Sequence, residues 1–216
     1  MKDDLVRPRQ EMVERLARDY PGSDPAVLQA MLVVPRHHFV ADALRHQAYL
    51  EASLPIGMGQ TLSQPSTVLA ALSMLSLRAG DVLLEIGSGS GYLAAVASRL
   101  CRRVYGMERL MQLVNGSRSA LTSLGILNVS IGLGDGSAGW PEHAPYDCIV
   151  ISAAAPGIPP GLADQLSSRG RIVAPLGNRT DQLLELWRLE QGRLVRSGES
   201  IGCRFVPLIG KGGWSG

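Results

Sequence analysis

The sequence has few aromatic residues and little charge. Of its 216 residues, 5% are aromatic and 19% are charged, whereas 45% are hydrophobic. A chain of this length and apolar content buries a sizeable core in one domain, which excludes wholesale disorder. Glycine is abundant instead, with 25 residues. A glycine-rich chain with few aromatics favours tight turns and close backbone approaches over an all-β sandwich.

Neither the charge nor the cysteine content indicates a nucleic-acid-binding, metal-binding or disulfide-bonded protein. The net charge is +2, and the longest basic run is the doublet Arg102-Arg103, so no nucleic-acid-binding surface is expected. The three cysteines lack C-x-x-C spacing, and the four histidines form no pattern with cysteines or carboxylates. We therefore expect reduced thiols, no metal site and a cytoplasmic protein. Residues 1–4 are not typical of a signal peptide.

Residues 52–77 carry no charge, and on length alone they could span a membrane. They include Pro55, Gly57, Gly59, Gln60 and Pro65, however, which would leave backbone polar groups unsatisfied in lipid. We expect a buried or ligand-facing loop that leads into a helix, and no membrane segment.

The first part of the chain, residues 1–78, is predicted to be a helical extension that carries this loop. Asp24 and Pro25 are typical of the N-cap and first residue of a helix, and Pro65 predicts the start of another that Gly80 ends. The second part, residues 79–216, is predicted to be an α/β unit, and the two parts together one compact body.

Apolar strands alternate with helices in the second part. The predicted strands are 82–86, 104–107, 129–133, 147–152 and 171–176, with helices at 92–100, 110–124 and 162–166. Nearly continuous apolar strands predict a parallel sheet with helices on both faces.

Residues 183–189 and 200–209 are also strand-like, and only about ten residues, including Gly192 and Gly198, separate them. No crossover helix fits there, so this pair is predicted to be antiparallel. A mostly parallel sheet of seven strands that ends in an antiparallel hairpin resembles the Rossmann-like fold of S-adenosylmethionine-dependent methyltransferases.

A glycine loop, Glu85-Ile86-Gly87-Ser88-Gly89-Ser90-Gly91, lies between a predicted strand and a predicted helix. Glycines allow a sharp turn and close approach to a ligand, and the helix N-terminus offers free N–H groups. Glu108 follows 21 residues after Gly87, near the offset expected for a carboxylate that binds ribose hydroxyls. The pattern predicts a nucleotide or nucleoside site.

Two further carboxylates narrow the choice of ligand. The spacing G-x-G-x-G is not that of dinucleotide sites, and Glu85 would repel a pyrophosphate but suits an amino group and a sulfonium. Asp135, after the third strand, can accept a hydrogen bond from an adenine amino group. The simpler alternatives are a solvent-facing or arginine-paired Glu85 and a plain Asp-Gly turn at Asp135.

The segment at 54–65, LPIGMGQTLSQP, resembles the signature of protein-L-isoaspartate O-methyltransferases. The similarity runs from about Val34 to Leu208. The other matching segments are Val34-Pro35-Arg36, Phe39-Val40, Gly134-Asp135-Gly136, Gly139-Trp140-Pro141, Pro145-Tyr146-Asp147, Ala153-Ala154-Ala155-Pro156 and Arg204-Phe205-Val206-Pro207-Leu208.

The resemblance implies a repair enzyme. It would transfer the methyl group of S-adenosyl-L-methionine to the free α-carboxylate of L-isoaspartyl residues in damaged proteins or peptides, with D-aspartyl residues as further candidates. The products would be S-adenosyl-L-homocysteine and an ester that collapses to a succinimide. The implied catalytic residue is Ser63. The implied cofactor-binding residues are Thr61, Leu62, Ser63, Glu85, Gly87, Ser88, Gly89, Gly91, Glu108, Arg109, Asp135 and Gly136.

Such a reaction requires few catalytic groups, because a carboxylate is already ionised at neutral pH and needs no general base. A hydroxyl such as that of Ser63 can orient it. The alternative role of Ser63 is the N-cap of the helix that starts at Pro65.

Other readings stay open. Ser66, Val68, Ser152 and Ile209 depart from the usual residues of the family, which leaves the substrate-side wall undefined. A relative that methylates aspartates during peptide maturation, a NAD-dependent oxidoreductase and a non-catalytic S-adenosylmethionine-binding module are the competing functions. The sequence does not define the oligomeric state; a monomer is compatible with it.

Overall fold

The computed structural model describes residues 5–215. In this part of the chain there are five α-helices and nine β-strands. The helices are α1 (Val6–Asp19), α2 (Pro25–Val33), α3 (Pro65–Leu75), α4 (Tyr92–Ala97) and α5 (Met111–Ser123). The strands are β1 (Leu54–Gly57), β2 (Gln60–Leu62), β3 (Val82–Ile86), β4 (Arg103–Glu108), β5 (Val129–Leu133), β6 (Tyr146–Ile151), β7 (Leu166–Gly177), β8 (Gln182–Glu190) and β9 (Arg193–Cys203).

The helix starts follow the sequence signals. Asp24 accepts a hydrogen bond from the Ala26 N–H at 2.8 Å, and Pro25 opens α2. Pro65 opens α3, as predicted. The predicted end of α3 at Gly80 is wrong: Ser76, with φ of 49°, terminates the helix in the left-handed conformation, and its N–H bonds the Leu72 carbonyl at 3.2 Å. None of the helices among residues 5–215 is long and apolar enough to cross a membrane.

Seven strands form one sheet in the order β5-β4-β3-β6-β7-β8-β9. Neighbours from β5 to β7 are parallel, whereas β8 and β9 are antiparallel additions. The predicted mostly parallel seven-stranded sheet with a terminal antiparallel hairpin is therefore confirmed. The predicted bounds of the last strand, 200–209, are wrong, because β9 starts at Arg193, directly after the turn at Gln191 and Gly192.

The prediction of helices on both faces is also wrong for the described residues. Side chains alternate along the strands, and Leu83, Val104 and Val150 share one core with residues of all five α-helices. Leu84, Ile149 and Ile172 point to the other face, where Trp140 and Leu162 cover them.

The handedness of the crossovers explains this asymmetry. The chain runs from β3 to β4 and β5 in one direction and then returns across the sheet to β6 and β7, so right-handed connections place the two sets on opposite faces. The return connections contain 3₁₀ turns in place of α-helices, at Gly136–Ala138, Pro141–His143 and Ala163–Gln165. The helix predicted at 162–166 is the last of these turns.

The chain reverses its direction of progress across the sheet at β3, the central strand. Ligands of open α/β sheets bind at such a switch point, outside the carboxyl ends of the strands. The β1–β2 hairpin lies above this edge: a Cβ on Gly89 would stand 3.2 Å from Ile56 Cδ1. The fold thus places the glycine loop beneath a hairpin taken from the uncharged segment.

Candidate active site

The glycine loop has the conformation that its sequence predicts. Gly87, Gly89 and Gly91 have φ of 79°, 50° and 85°, values at which a side chain is strained. The Gly87 N–H bonds the Met107 carbonyl at 2.8 Å, which ties the loop to the end of β4. The loop therefore turns sharply from β3 into α4 at the switch point.

Glu85 is buried at the end of β3, with 1% of its surface exposed. The Ser152 hydroxyl donates to Glu85 Oε1 at 2.9 Å, while Oε2 is buried and has no hydrogen-bond partner. Burial raises the pKa of Glu85 to about 8; Ser152 opposes the rise and Glu108 adds to it. The residue is neither solvent-facing nor paired with an arginine, so both simpler alternatives fail.

Glu108 ends β4 and is 6% exposed. Its Oε2 accepts from the Gly89 N–H at 3.0 Å, and its Oε1 accepts from the Leu110 N–H at 3.0 Å. Because each carboxylate oxygen has a second lone pair, the fixed carboxylate can still accept from two ribose hydroxyls.

A cleft opens between the glycine loop, the hairpin and the chain after β9; we call it the cofactor cleft. Of the predicted cofactor residues, those lining it are Thr61, Gly87, Gly89, Glu108, Arg109 and Gly136. A small cavity adjoins it at Thr61 and Ser152, and the predicted residues that line it are Leu62, Ser63, Glu85 and Ser88. Gly91 supports the loop from behind, against Ser117 of α5.

The side chain of Asp135 accepts hydrogen bonds from within the chain; its contact with adenine stays a prediction. Its Oδ1 accepts from the backbone N–H of Ser137 at 3.0 Å and from the Ser137 hydroxyl at 2.6 Å, and its Oδ2 accepts from the Lys211 N–H at 2.8 Å. Burial opposes ionisation, yet these hydrogen bonds hold the pKa of Asp135 below its usual value. The structure brings Gly136 to the cofactor cleft, while the Asp135 side chain fastens the C-terminal segment.

Ser63 does not cap α3. The N-cap is Gln64, and the Glu51 carboxylate accepts from the Ser66 N–H at 3.1 Å. The Ser63 carbonyl accepts from Arg36 Nη2 at 2.6 Å, and its hydroxyl has no hydrogen bond to any described residue. Its Oγ is therefore free for a ligand.

Arg36 holds the Ser63 backbone from below. It is fully buried, its Nε donates to the Ala48 carbonyl at 2.8 Å, and its guanidinium lies 4.9 Å from the centroid of the Tyr92 ring. Burial lowers the pKa of Arg36. In the sequence, Arg36 stands out only as part of a matching segment, because its hydrogen-bond partners lie 12 and 27 positions along the chain.

An open groove of about 470 Å³ meets the cofactor cleft at Thr61, Ser152 and Val206; we call it the substrate groove. Its lining residues are Ser53, Thr61, Ser63, Gln64, Thr67, Ser152, Gly202, Cys203, Arg204, Phe205 and Val206. Arg204 is the one charged residue in this lining. Ser152 also lines the cofactor cleft and the small cavity, a position that only its place after a parallel strand could have signalled.

The fold and the site define a class. A mostly parallel seven-stranded sheet, with a nucleoside-type cleft at its switch point and a groove that opens onto the cleft, is the architecture of an S-adenosylmethionine-dependent methyltransferase. The sequence model of the family "Protein-L-isoaspartate(D-aspartate) O-methyltransferase (PCMT)" matches residues 7–213. The chain belongs to this family.

Curated relatives and solved structures agree with this assignment. The chain is 47% identical over 209 residues to protein-L-isoaspartate O-methyltransferase 2 of Geotalea uraniireducens, covering 96% of each chain. It is 46% identical over 215 residues to the Geobacter metallireducens enzyme, covering 99% of this chain and 98% of that one.

Among solved structures, one protein-L-isoaspartate O-methyltransferase superimposes with a TM-score of 0.86 at 28% identity, over 95% of this chain and 67% of the other. A Plasmodium falciparum protein described with the same activity, solved with S-adenosyl-L-homocysteine, has a TM-score of 0.80 at 25% identity, over 93% of this chain and 98% of the other.

Proposed function

We propose that this chain transfers a methyl group from S-adenosyl-L-methionine to the free α-carboxylate of L-isoaspartyl residues in damaged proteins or peptides. The observation that carries the proposal is Ser63, whose unbonded hydroxyl stands where the substrate groove meets the small cavity that holds Glu85. The names of the relatives support the same activity.

The described residues fit the cofactor. Glu85 Oε2 is a buried acceptor without a partner, which suits a cationic or N–H-bearing group, and Glu108 is fixed by two backbone amides where it can accept from ribose. Thr61, Arg109 and Gly136 also line the cofactor cleft. When bound, S-adenosyl-L-methionine supplies an electrophilic methyl group.

The protein contributes orientation and exclusion of water. The substrate carboxylate is ionised at neutral pH, so no general base is required. The Ser63 hydroxyl donates one hydrogen bond to it, and the Arg36 contact fixes the Ser63 backbone in place. Apart from Arg204, the groove is uncharged, and no second cation in its lining competes for the carboxylate. Alignment of reacting groups alone accounts for large rate factors.

The two parts of the chain contribute different sides of the site. We propose that residues 1–78 supply the substrate side and the active-site loop, whose Thr61 also lines the cofactor cleft, that residues 79–216 supply the rest of the cofactor site, and that both work as one unit. Helices α1 to α3 share a hydrophobic core with the sheet, which supports this. Three free thiols support a reducing, cytoplasmic setting.

The test offers an isoaspartyl peptide and its normal aspartyl twin with labelled cofactor. We expect label on the isoaspartyl peptide only. Ser63→Ala should lower kcat at least tenfold with S-adenosyl-L-homocysteine affinity within about twofold, because Ser63 acts on the substrate carboxylate. The control Ser119→Ala, an exposed serine of α5, should match the wild type.

Label on neither peptide would contradict the proposal. Equal label on both peptides would favour the competing function of an aspartate methyltransferase in peptide maturation. An unchanged kcat for Ser63→Ala would remove Ser63 from the mechanism.

A further inference from the structure

Ser152 occupies a position that the proposed reaction does not yet use. It follows β6 and lines the cofactor cleft, the small cavity and the substrate groove. Its hydroxyl donates to Glu85 Oε1 at 2.9 Å, the one side-chain hydrogen bond to Glu85 among the described residues. A single donor therefore fixes one oxygen of a buried carboxylate and leaves the other, Oε2, without a partner in the small cavity.

Among residues 5–215, none that lines the small cavity around Glu85 is a cation. From β4, Glu108 faces it with a second negative charge. From α4, the backbone of Ala94 favours ionisation, and Tyr92 lines the same cavity but stays neutral, since burial raises its pKa to about 12. From the hairpin, Thr61 is uncharged. The ionised form of Glu85 thus depends on the Ser152 hydroxyl, on the Ala94 backbone and on any positive group that a ligand brings.

We propose that Ser152 is a positioning residue: it holds Glu85 Oε1 so that Oε2 faces the bound cofactor, and loading of the site releases to solvent the proton that Glu85 carries when the site is empty. This inference rests on the proposed function, because it takes a cofactor with an ammonium group as the ligand. In the step, the Glu85 carboxylic O–H breaks, its electron pair stays on the carboxylate, and the proton passes to the buffer.

Proton release can be counted without turnover. The probe is S-adenosyl-L-homocysteine, which keeps the ammonium group and has no methyl to transfer. Its binding is measured by titration calorimetry between pH 6 and 9.5, a range that spans the pKa of Glu85, in two buffers of different ionisation enthalpy at each pH. For the wild type we expect close to one proton released per site at pH 7, and affinity that rises up to about tenfold per pH unit below the pKa of Glu85, which is about 8.

Ser152→Ala should move the midpoint of this affinity profile upward by about one pH unit. Affinity at pH 7 then falls about tenfold, with a smaller deficit at higher pH, because the variant loses a hydrogen bond that favours the ionised carboxylate. Ser152→Thr keeps the hydroxyl and should restore affinity to within about twofold. Ser98→Ala, which removes a buried hydroxyl bonded to the Ala95 carbonyl in α4, should leave the profile unchanged.

Failure of the Ser152 proposal and failure of the proposed function give different results. Wild-type binding without proton release overturns the proposal, whatever the variants do. So does an equal loss of affinity at every pH in Ser152→Ala, which is the signature of a merely structural serine. If S-adenosyl-L-homocysteine does not bind at any of the pH values, the proposed function itself is contradicted.

Discussion

Glu85 and Asp135 are both carboxylates at the carboxyl edge of the same sheet, and the sequence gives them similar roles. Glu85 is buried with one oxygen unbonded, and its pKa is raised by burial. Asp135 has both oxygens occupied by Ser137 and Lys211, and its pKa is lowered by those bonds. Glu85 thus keeps one oxygen without a hydrogen bond, whereas both oxygens of Asp135 accept hydrogen bonds from other residues of the chain.

The difference shows that position at a strand end does not define a ligand contact. A carboxylate at a strand end can bind a ligand only where it lines the ligand cavity and keeps an unused lone pair. Glu85 meets both conditions, because it lines the small cavity and Ser152 serves only one of its two oxygens. Asp135 does not line the cofactor cleft, and three donors already serve its two oxygens.

The largest effect expected from this contrast is on cofactor affinity. Glu85→Gln should weaken S-adenosyl-L-homocysteine binding by about 100-fold or more, because glutamine cannot ionise to pair with the ammonium group of the ligand. Asp135→Asn should weaken it by less than about tenfold. Calorimetry on both variants checks this; equal losses would break the comparison.

A second test uses stability without cofactor. The folded pKa of Glu85, about 8, lies above its ordinary value of 4.5, so its stabilising contribution is complete below about pH 4.5 and is lost as the pH rises through 8. Glu85→Gln should therefore gain free energy of unfolding relative to wild type, by about 2 kcal/mol at pH 8 to 9. Urea unfolding at pH 5 and pH 9 measures it; a gain of the same size at both pH values would contradict the argument.

Asp135 should show the opposite dependence with a smaller size. The folded pKa of Asp135 lies below its ordinary value of 3.8, so its stabilising contribution is complete above that value and is lost as the pH falls through the folded pKa. Asp135→Asn should cost about 1 kcal/mol at pH 7, and the gap to wild type should close in acid. Thermal melts across pH 2 to 7 follow the gap; a constant gap would show that the Asp135 charge is irrelevant.

Much of the fold could be predicted because its signals are local. Pro25, Pro65 and the glycines after β3 act on their own backbone, so the elements they delimit lie where the sequence places them. Apolar strands indicate that both faces of a sheet are buried, but they do not indicate which elements cover each face. The prediction of a helix at 162–166 is therefore wrong, because a 3₁₀ turn at Ala163–Gln165 covers the sheet there.

Gly198 shows how one signal carries two meanings. Its place between two strand-like segments predicts a turn. In the structure it lies inside β9 with φ of 78°, where the register shifts between the pairs Leu184–Ile201 and Leu186–Ser197. A glycine that relaxes a bulge and one that makes a turn look alike in sequence.

Those residues of the site that directly follow or end a parallel strand could be predicted from the sequence. Glu85, Glu108 and the glycine loop converge as predicted. The engagement of Asp135 by Lys211, 76 positions away, and of Ser63 by Arg36, 27 positions away, depends on tertiary packing that local patterns do not encode.

The three native thiols also define what can be attached to the protein. Burial raises the pKa of Cys101 to about 12 and that of Cys203 to about 11, and it raises the pKa of Cys148 as well. Maleimide reagents attack thiolates, so all three cysteines are slow targets at neutral pH. A cysteine introduced at Met58, an exposed position in the turn of the β1–β2 hairpin, would react first. A fluorophore could thus be fixed above the cofactor cleft with every native residue but one retained.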